Sequence, residues 1–177
     1  ERESLSQELE RQSNIVVDIP LIIDGKAVET GVVKEVRMPH DHQHVLARYQ
    51  CATTETVNQA IDAALRAKIE WENMPWMERA SIMLRAAELI AKKYRDLINA
   101  STMLGQSKNP FQAEIDAACE LVDFLRYNAH FAGNINSQQP KSDATQLNYM
   151  EYRALEGFVY AITPFNFTSI ASNLNMS

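Results

Sequence analysis

The reading of the fold starts from Glu156-Gly-Phe-Val-Tyr-Ala-Ile-Thr-Pro-Phe-Asn-Phe-Thr-Ser-Ile170. Phe158 to Ile162 is a short apolar run rich in β-formers, opened by Gly157 and stopped by Pro164, and it reads as a buried strand of a parallel sheet. Open α/β sheets bind ligands beyond the carboxyl ends of their strands, and that position carries Thr163-Pro164-Phe165-Asn166-Phe167. Pro164 fixes the exit angle of the chain, and Asn166 offers an amide donor just past a rigid turn. Read from pattern alone, the same residues make a strand, a turn and a helix start, with Asn166 a turn residue.

Upstream of this stretch, Gln138 to Thr145 is a polar linker containing Pro140. In Gln146 to Arg153, Leu147 and Tyr149 alternate with polar Gln146 and Asn148, which predicts an exposed strand with one packed face and room for a partner. Asn109-Pro110 starts a helix predicted to run to about Gly133, with Ile115, Ala118, Cys119, Val122, Leu125 and Ala129 facing inward. Asp116, Glu120 and Asp123 lie near one face of it, three and four residues apart, with Glu114 on the same helix. They read as a solvated face, since no general-acid geometry accompanies them.

Further back, a helix is predicted from about Trp76 to Met103 with Gly105 as its C-cap. Another follows Thr53-Thr54-Glu55 through Val57, Ile61, Ala64, Leu65 and Ile69 until Pro75 breaks it. At the N-terminus, Leu5 and Leu9 give a thin apolar stripe on a surface helix over residues 2 to 14. Asp24-Gly25 then joins Leu21-Ile-Ile to Lys26-Ala-Val28 as a hairpin. Val32 to Met38 and Val45 to Gln50 are strand candidates separated by Pro39-His-Asp-His-Gln-His44. His40, His42 and His44 would face one way in an extended chain and with Asp41 suggest zinc. A single short loop with no second ligand cluster reads instead as a polar turn, and no metal is expected.

The 177 residues suit one domain, and 46% hydrophobic residues supply an ordinary core. Seventeen basic against 23 acidic residues leave a net charge of -6, and no basic stripe tracks a phosphate backbone, so nucleic acid is not an expected partner. No apolar run approaches the roughly 20 residues that a membrane span needs. Cys51 and Cys119, far apart in sequence, suit a reducing compartment better than a disulfide framework, which points to a bacterial cytoplasm or a mitochondrial matrix.

Pro164-Phe165-Asn166-Phe167 after a strand resembles the Pro-Trp/Phe-Asn-Phe signature of the aldehyde dehydrogenase superfamily. Leu155 to Thr168, Met103-Leu-Gly-Gln-Ser-Lys108 and Gln112-Ala-Glu-Ile-Asp-Ala-Ala118 are similar, more narrowly, to the branch that oxidises glutamate semialdehyde, the 1-pyrroline-5-carboxylate dehydrogenases. The resemblance implies an α/β chain forming the N-terminal part of that fold. Residues 1–137 would be N-terminal strands and helices of the NAD-binding domain, 138–153 a linker and oligomerisation strand, and 154–177 the incomplete start of the nucleotide-binding sheet. It implies NAD as cofactor, a cysteine thiolate attacking the aldehyde, and a homodimer or higher homo-oligomer formed through the 146–153 strand.

By the same resemblance Asn166 would hold the oxyanion, Phe167 would pack on the substrate, and Glu120 would border the pocket at the substrate's amino-acid end. Thr163, Pro164 and Phe165 would line the cofactor cleft. The family's nucleophilic cysteine, glutamate base and ribose-contacting lysine have no counterpart here. Cys51 and Cys119 lack the Gly-rich loop of a nucleophile and read as structural, and the five glycines form no phosphate loop. The expectation is therefore a piece of a larger enzyme, inactive alone; a non-catalytic truncated subunit and an unrelated helical module are the competing readings.

Overall fold

The computed structural model of the protein describes residues 1–175. Asp24 and Gly25 both take positive φ, 54° and 70°, which a two-residue hairpin turn demands, and they join strands β2 (Leu21–Ile23) and β3 (Lys26–Val28). A second sheet is centred on β5 (Asp41–Gln50), with β4 (Val33–Met38) antiparallel on one side and β1 (Val17–Ile19) parallel on the other. Strand β1 was not expected; three residues between the helix α1 (Arg2–Ser13) and Pro20 are too few for alternation to show. Strand β5 also begins at Asp41 rather than Val45. The pairing of Met38 with Asp41 extends the ladder, so the turn shrinks to Pro39-His40, and His42 and His44 become strand residues. His40 instead reaches away, its Nδ1 lying 2.7 Å from Ser107 Oγ.

Helix α2 (Thr54–Asn73) is opened by a capping box in which the Thr53 hydroxyl accepts from the Thr56 N–H and the Thr53 N–H donates to the Thr56 hydroxyl. The helix expected over 76–103 is two helices, α3 (Trp76–Lys92) and α4 (Arg95–Gln106). At the break the Tyr94 N–H bonds Leu89 O, five residues back, so the regular ladder ends there. No glycine or proline announces this break; it lets α3 pack on the last helix while α4 packs on α1. Gly105 lies inside α4, and the left-handed residue that ends the helix is Ser107, with φ 54°. Gln12 of α1 clamps α4 by donating to Leu97 O (3.0 Å) and accepting from Ser101 Oγ (2.9 Å).

The third predicted helix is also interrupted. Asn109 caps a short α5 (Pro110–Ala113), a π-helical segment follows over Glu114–Cys119, and α6 (Glu120–Ser137) continues beyond Gly133. The core lies where α3 meets α6: Ala87, Leu121, Val122 and Leu125 are buried, with Met83, Ala86, Ile90 and Ala91 packed around them. Each large aliphatic side chain buried there contributes on the order of 1.5–3 kcal/mol. Among the described residues no helix is long and apolar enough to cross a membrane.

Neither predicted C-terminal strand, 146–153 or 158–162, joins a strand ladder among the described residues. A strand is held by its ladder partner, and without one the apolar pattern alone cannot order it. Leu147, Tyr160 and Ile162 stay 80%, 77% and 73% exposed. What orders the region is local: Asp143 Oδ1 accepts from the N–H and hydroxyl of Thr145 and the N–H of Gln146, and Tyr152 donates to Ile135 O. The expected terminal helix is a 3₁₀ segment, Ile170–Asn175, packed on α6; Met176 and Ser177 lie outside the described residues.

Candidate functional site

At the end of α4, residues 106–108 and the nearby π-helical segment meet the distant chain after Pro164. The left-handed turn at Ser107 throws Gln106 and Lys108 toward the chain after Pro164. Gln106 Nε2 donates to Phe165 O (3.3 Å), and Lys108 Nζ donates to Asn166 O (2.8 Å) and to Asp116 Oδ2 (2.6 Å) in the π-helical segment. The same ammonium lies 4.7 Å from the centroid of the Phe167 ring, a cation–π contact. Ser169 Oγ donates to Ala117 O, which fastens the far end of the loop to the π-helical segment.

This seat leaves two kinds of atom in the loop. Backbone carbonyls are tied down, whereas the Asn166 side chain is exposed and makes no hydrogen bond among the described residues. Asn166 is thus a donor with a fixed root and an uncommitted tip. Phe167 is half-buried, with the Lys108 ammonium over its ring. Thr163, Pro164 and Phe165 are exposed, and the Phe165 ring is 97% so although its carbonyl is bonded. No glycine-rich turn of the kind that binds phosphates accompanies this loop.

Glu120 stands apart from that loop. It lies one turn beyond Asp116 and lines a cleft of about 350 Å³ with Asp123, Phe124, Tyr127, Asn128 and Phe131, to which none of residues 163–167 contributes. The reading of Asp116, Glu120 and Asp123 as one solvated face is therefore corrected, because Asp116 is spent on Lys108. The remaining acid on this helix, Glu114, accepts from Asn99 Nδ2 (2.6 Å) and Cys119 Sγ (3.3 Å) and pairs with Arg95. Cys119 is thereby a donor inside a polar knot, and Cys51 closes β5 with its N–H on Val32 O; the two form no disulfide.

Sequence reasoning missed Gln106, Lys108 and Asp116 as parts of the site. Lys108 closes one of the motifs that carried the resemblance, yet its partner carbonyl is 58 residues away and no periodicity joins the two. The one available signal was that three separately matching motifs, ending at Lys108, spanning Asp116 and spanning Asn166, had to converge if each was functional.

The model of the aldehyde dehydrogenase family matches residues 27–176. The probable delta-1-pyrroline-5-carboxylate dehydrogenase of Schizosaccharomyces pombe is 52% identical over 166 residues, which is 93% of this chain and 30% of that protein. The mitochondrial delta-1-pyrroline-5-carboxylate dehydrogenase of Homo sapiens is 43% identical over 174 residues, 98% of this chain and 31% of that one. Among solved structures, the delta-pyrroline-5-carboxylate dehydrogenase from Mycobacterium tuberculosis bound with NAD superposes with a TM-score of 0.94 at 47% identity, over 98% of this chain and 32% of that chain. The chain spans about a third of the length of these relatives. A match over most of its length, on a superposable backbone, establishes that the chain belongs to the aldehyde dehydrogenase family.

Proposed function

We propose that these residues form the oxyanion-holding and part of the substrate- and cofactor-lining portion of an NAD-dependent dehydrogenase that oxidises glutamate semialdehyde, derived from 1-pyrroline-5-carboxylate, to glutamate in proline catabolism. The observation that carries this reading is Asn166, whose carbonyl is anchored while its side-chain amide stays exposed and unbonded. The amide N–H donates to the aldehyde oxygen, and the bond strengthens as that oxygen becomes negative on thiolate addition. Phe167, half-buried beside Asn166, packs on the aliphatic part of the substrate. Glu120 faces the amino-acid end, where a carboxylate beside the rings of Phe124, Tyr127 and Phe131 suits an ammonium. Thr163, Pro164 and Phe165 flank the nicotinamide side of the cleft, and NAD supplies the hydride acceptor.

The cysteine nucleophile and the general base come from elsewhere in the full-length protein, since Cys119 is bonded within its knot and Cys51 within the sheet end. The 177 residues by themselves are accordingly expected to be inactive. Assembly as a homodimer or higher oligomer through residues 146–153 suits their exposed state outside any strand ladder, and the compartment is a cytoplasm or a mitochondrial matrix; the human relative is named as mitochondrial. The test is NAD reduction by the purified full-length protein with glutamate semialdehyde against simple aliphatic aldehydes. Strong preference for glutamate semialdehyde is expected; no turnover with it would sink the reading.

A further inference from the structure

We infer that Gln106 and Lys108, with Asp116 behind them, are positioning residues that aim Asn166; the inference rests on the oxyanion role proposed above. A residue's Cα–Cβ direction is set by the two peptide planes that flank its Cα. For Asn166 those planes carry the carbonyls of Phe165 and Asn166. Gln106 Nε2 holds the first at 3.3 Å and Lys108 Nζ holds the second at 2.8 Å. Both donors come from the two sides of one left-handed residue, Ser107. The clamp fixes φ and ψ of Asn166 and leaves its side chain only rotamer freedom.

Asp116 explains why a lysine can do this. A lysine stem has many rotamers and its ammonium prefers water. Here the Asp116 carboxylate, 2.6 Å away, pins the ammonium, and the lysine side chain is only 19% exposed. The Phe167 ring covers another side of it at 4.7 Å. With one N–H held by Asp116 and the ring alongside, the ammonium gives another N–H to the Asn166 carbonyl.

The test has a kinetic and a non-kinetic arm. In the full-length enzyme, Lys108→Met should lower kcat roughly 10- to 100-fold, as expected for losing a hydrogen bond to a charged donor. The KM for NAD should not change. Because Lys108 acts through Asn166, the double variant Lys108→Met/Asn166→Ala should be no slower than Asn166→Ala alone. Lys108→Arg should recover part of the rate. Should Lys108→Met fail to fold, Asp116→Asn, which keeps shape and removes the charge, takes its place in the same cycle.

In the full-length protein, Lys108→Met should speed amide exchange at Phe165 to Thr168 while α3 and α6 keep their protection. Losses that multiply in the double variant, a wild-type kcat for Lys108→Met, or unchanged exchange in the loop would each overturn the inference. A wild-type enzyme that does not oxidise glutamate semialdehyde would refute the proposed function instead, and the exchange result would still decide whether the clamp exists.

Discussion

Glu114→Ala removes the acceptor shared by Arg95, Asn99 and Cys119, and the structure says which loss dominates. Asn99 is 3% exposed and its Oδ1 already lacks a partner, so without Glu114 its amide is buried with neither end satisfied. Stranding such a group costs about 1–3 kcal/mol. The Arg95 side chain is 41% exposed and can turn to water, so losing its ion pair costs about 0–1 kcal/mol after solvent screening. A destabilisation of about 2–3 kcal/mol follows, which for a chain of this size lowers Tm by roughly 5–10 °C.

Double-mutant cycles from urea denaturation separate the two partners. Coupling of Glu114 to Asn99 should be about 1–2 kcal/mol and exceed its coupling to Arg95. The reverse order would show that the formal ion pair, not the buried amide, holds α4 to the π-helical segment, and the reasoning from burial would be wrong.

Leu125 is fully buried between α3 and α6, and Leu125→Ala should cost about 2–5 kcal/mol by denaturant unfolding; a loss under about 1 kcal/mol would mean the core lies elsewhere. Arg11, donating through two nitrogens to Glu8, holds the Glu8 carboxyl below the ordinary glutamate range, helped by Gln12. A lowered folded pKa stabilises above the unfolded value of about 4.3 and is lost as pH falls through the folded value. Protection factors of the α1 amides, taken against the intrinsic rate at each pH, should therefore fall on acidification below about pH 4 and do so less in Glu8→Gln; equal acid response in both proteins would remove Glu8 from the docking of α1 on α4.

How far the sequence carried the fold depended on whether each signal was local. The Asp24-Gly25 turn, the helix start at Thr53-Thr54-Glu55 and the Asn109-Pro110 start are complete within a few residues, and each stands where expected. The break at Tyr94 and the π-helical turn at Glu114 are answers to distant partners: α4 serves α1, and Glu114 serves Arg95 and Asn99. No helical periodicity announces either. The 146–153 and 158–162 stretches show the opposite case, a clear local pattern without the partner that would turn it into a ladder. Of the candidate site, Thr163 to Phe167 could be nominated from the sequence because proline and asparagine after an apolar run form a compact signal. The Lys108–Asp116 support was not, since a carbonyl acceptor is invisible in sequence.

Whether Asn166 donates to the developing oxyanion is tested most directly by steady-state kinetics of full-length Asn166→Ala paired with NAD titration. Its carbonyl stays bonded to Lys108 whatever the side chain, so the loop should keep its place and only the donor should be lost. Removing one oxyanion donor costs on the order of 10²–10³ in turnover, and kcat should fall by that order while NAD affinity stays unchanged. Turnover near the wild-type rate would return Asn166 to the role of a turn residue and contradict the account.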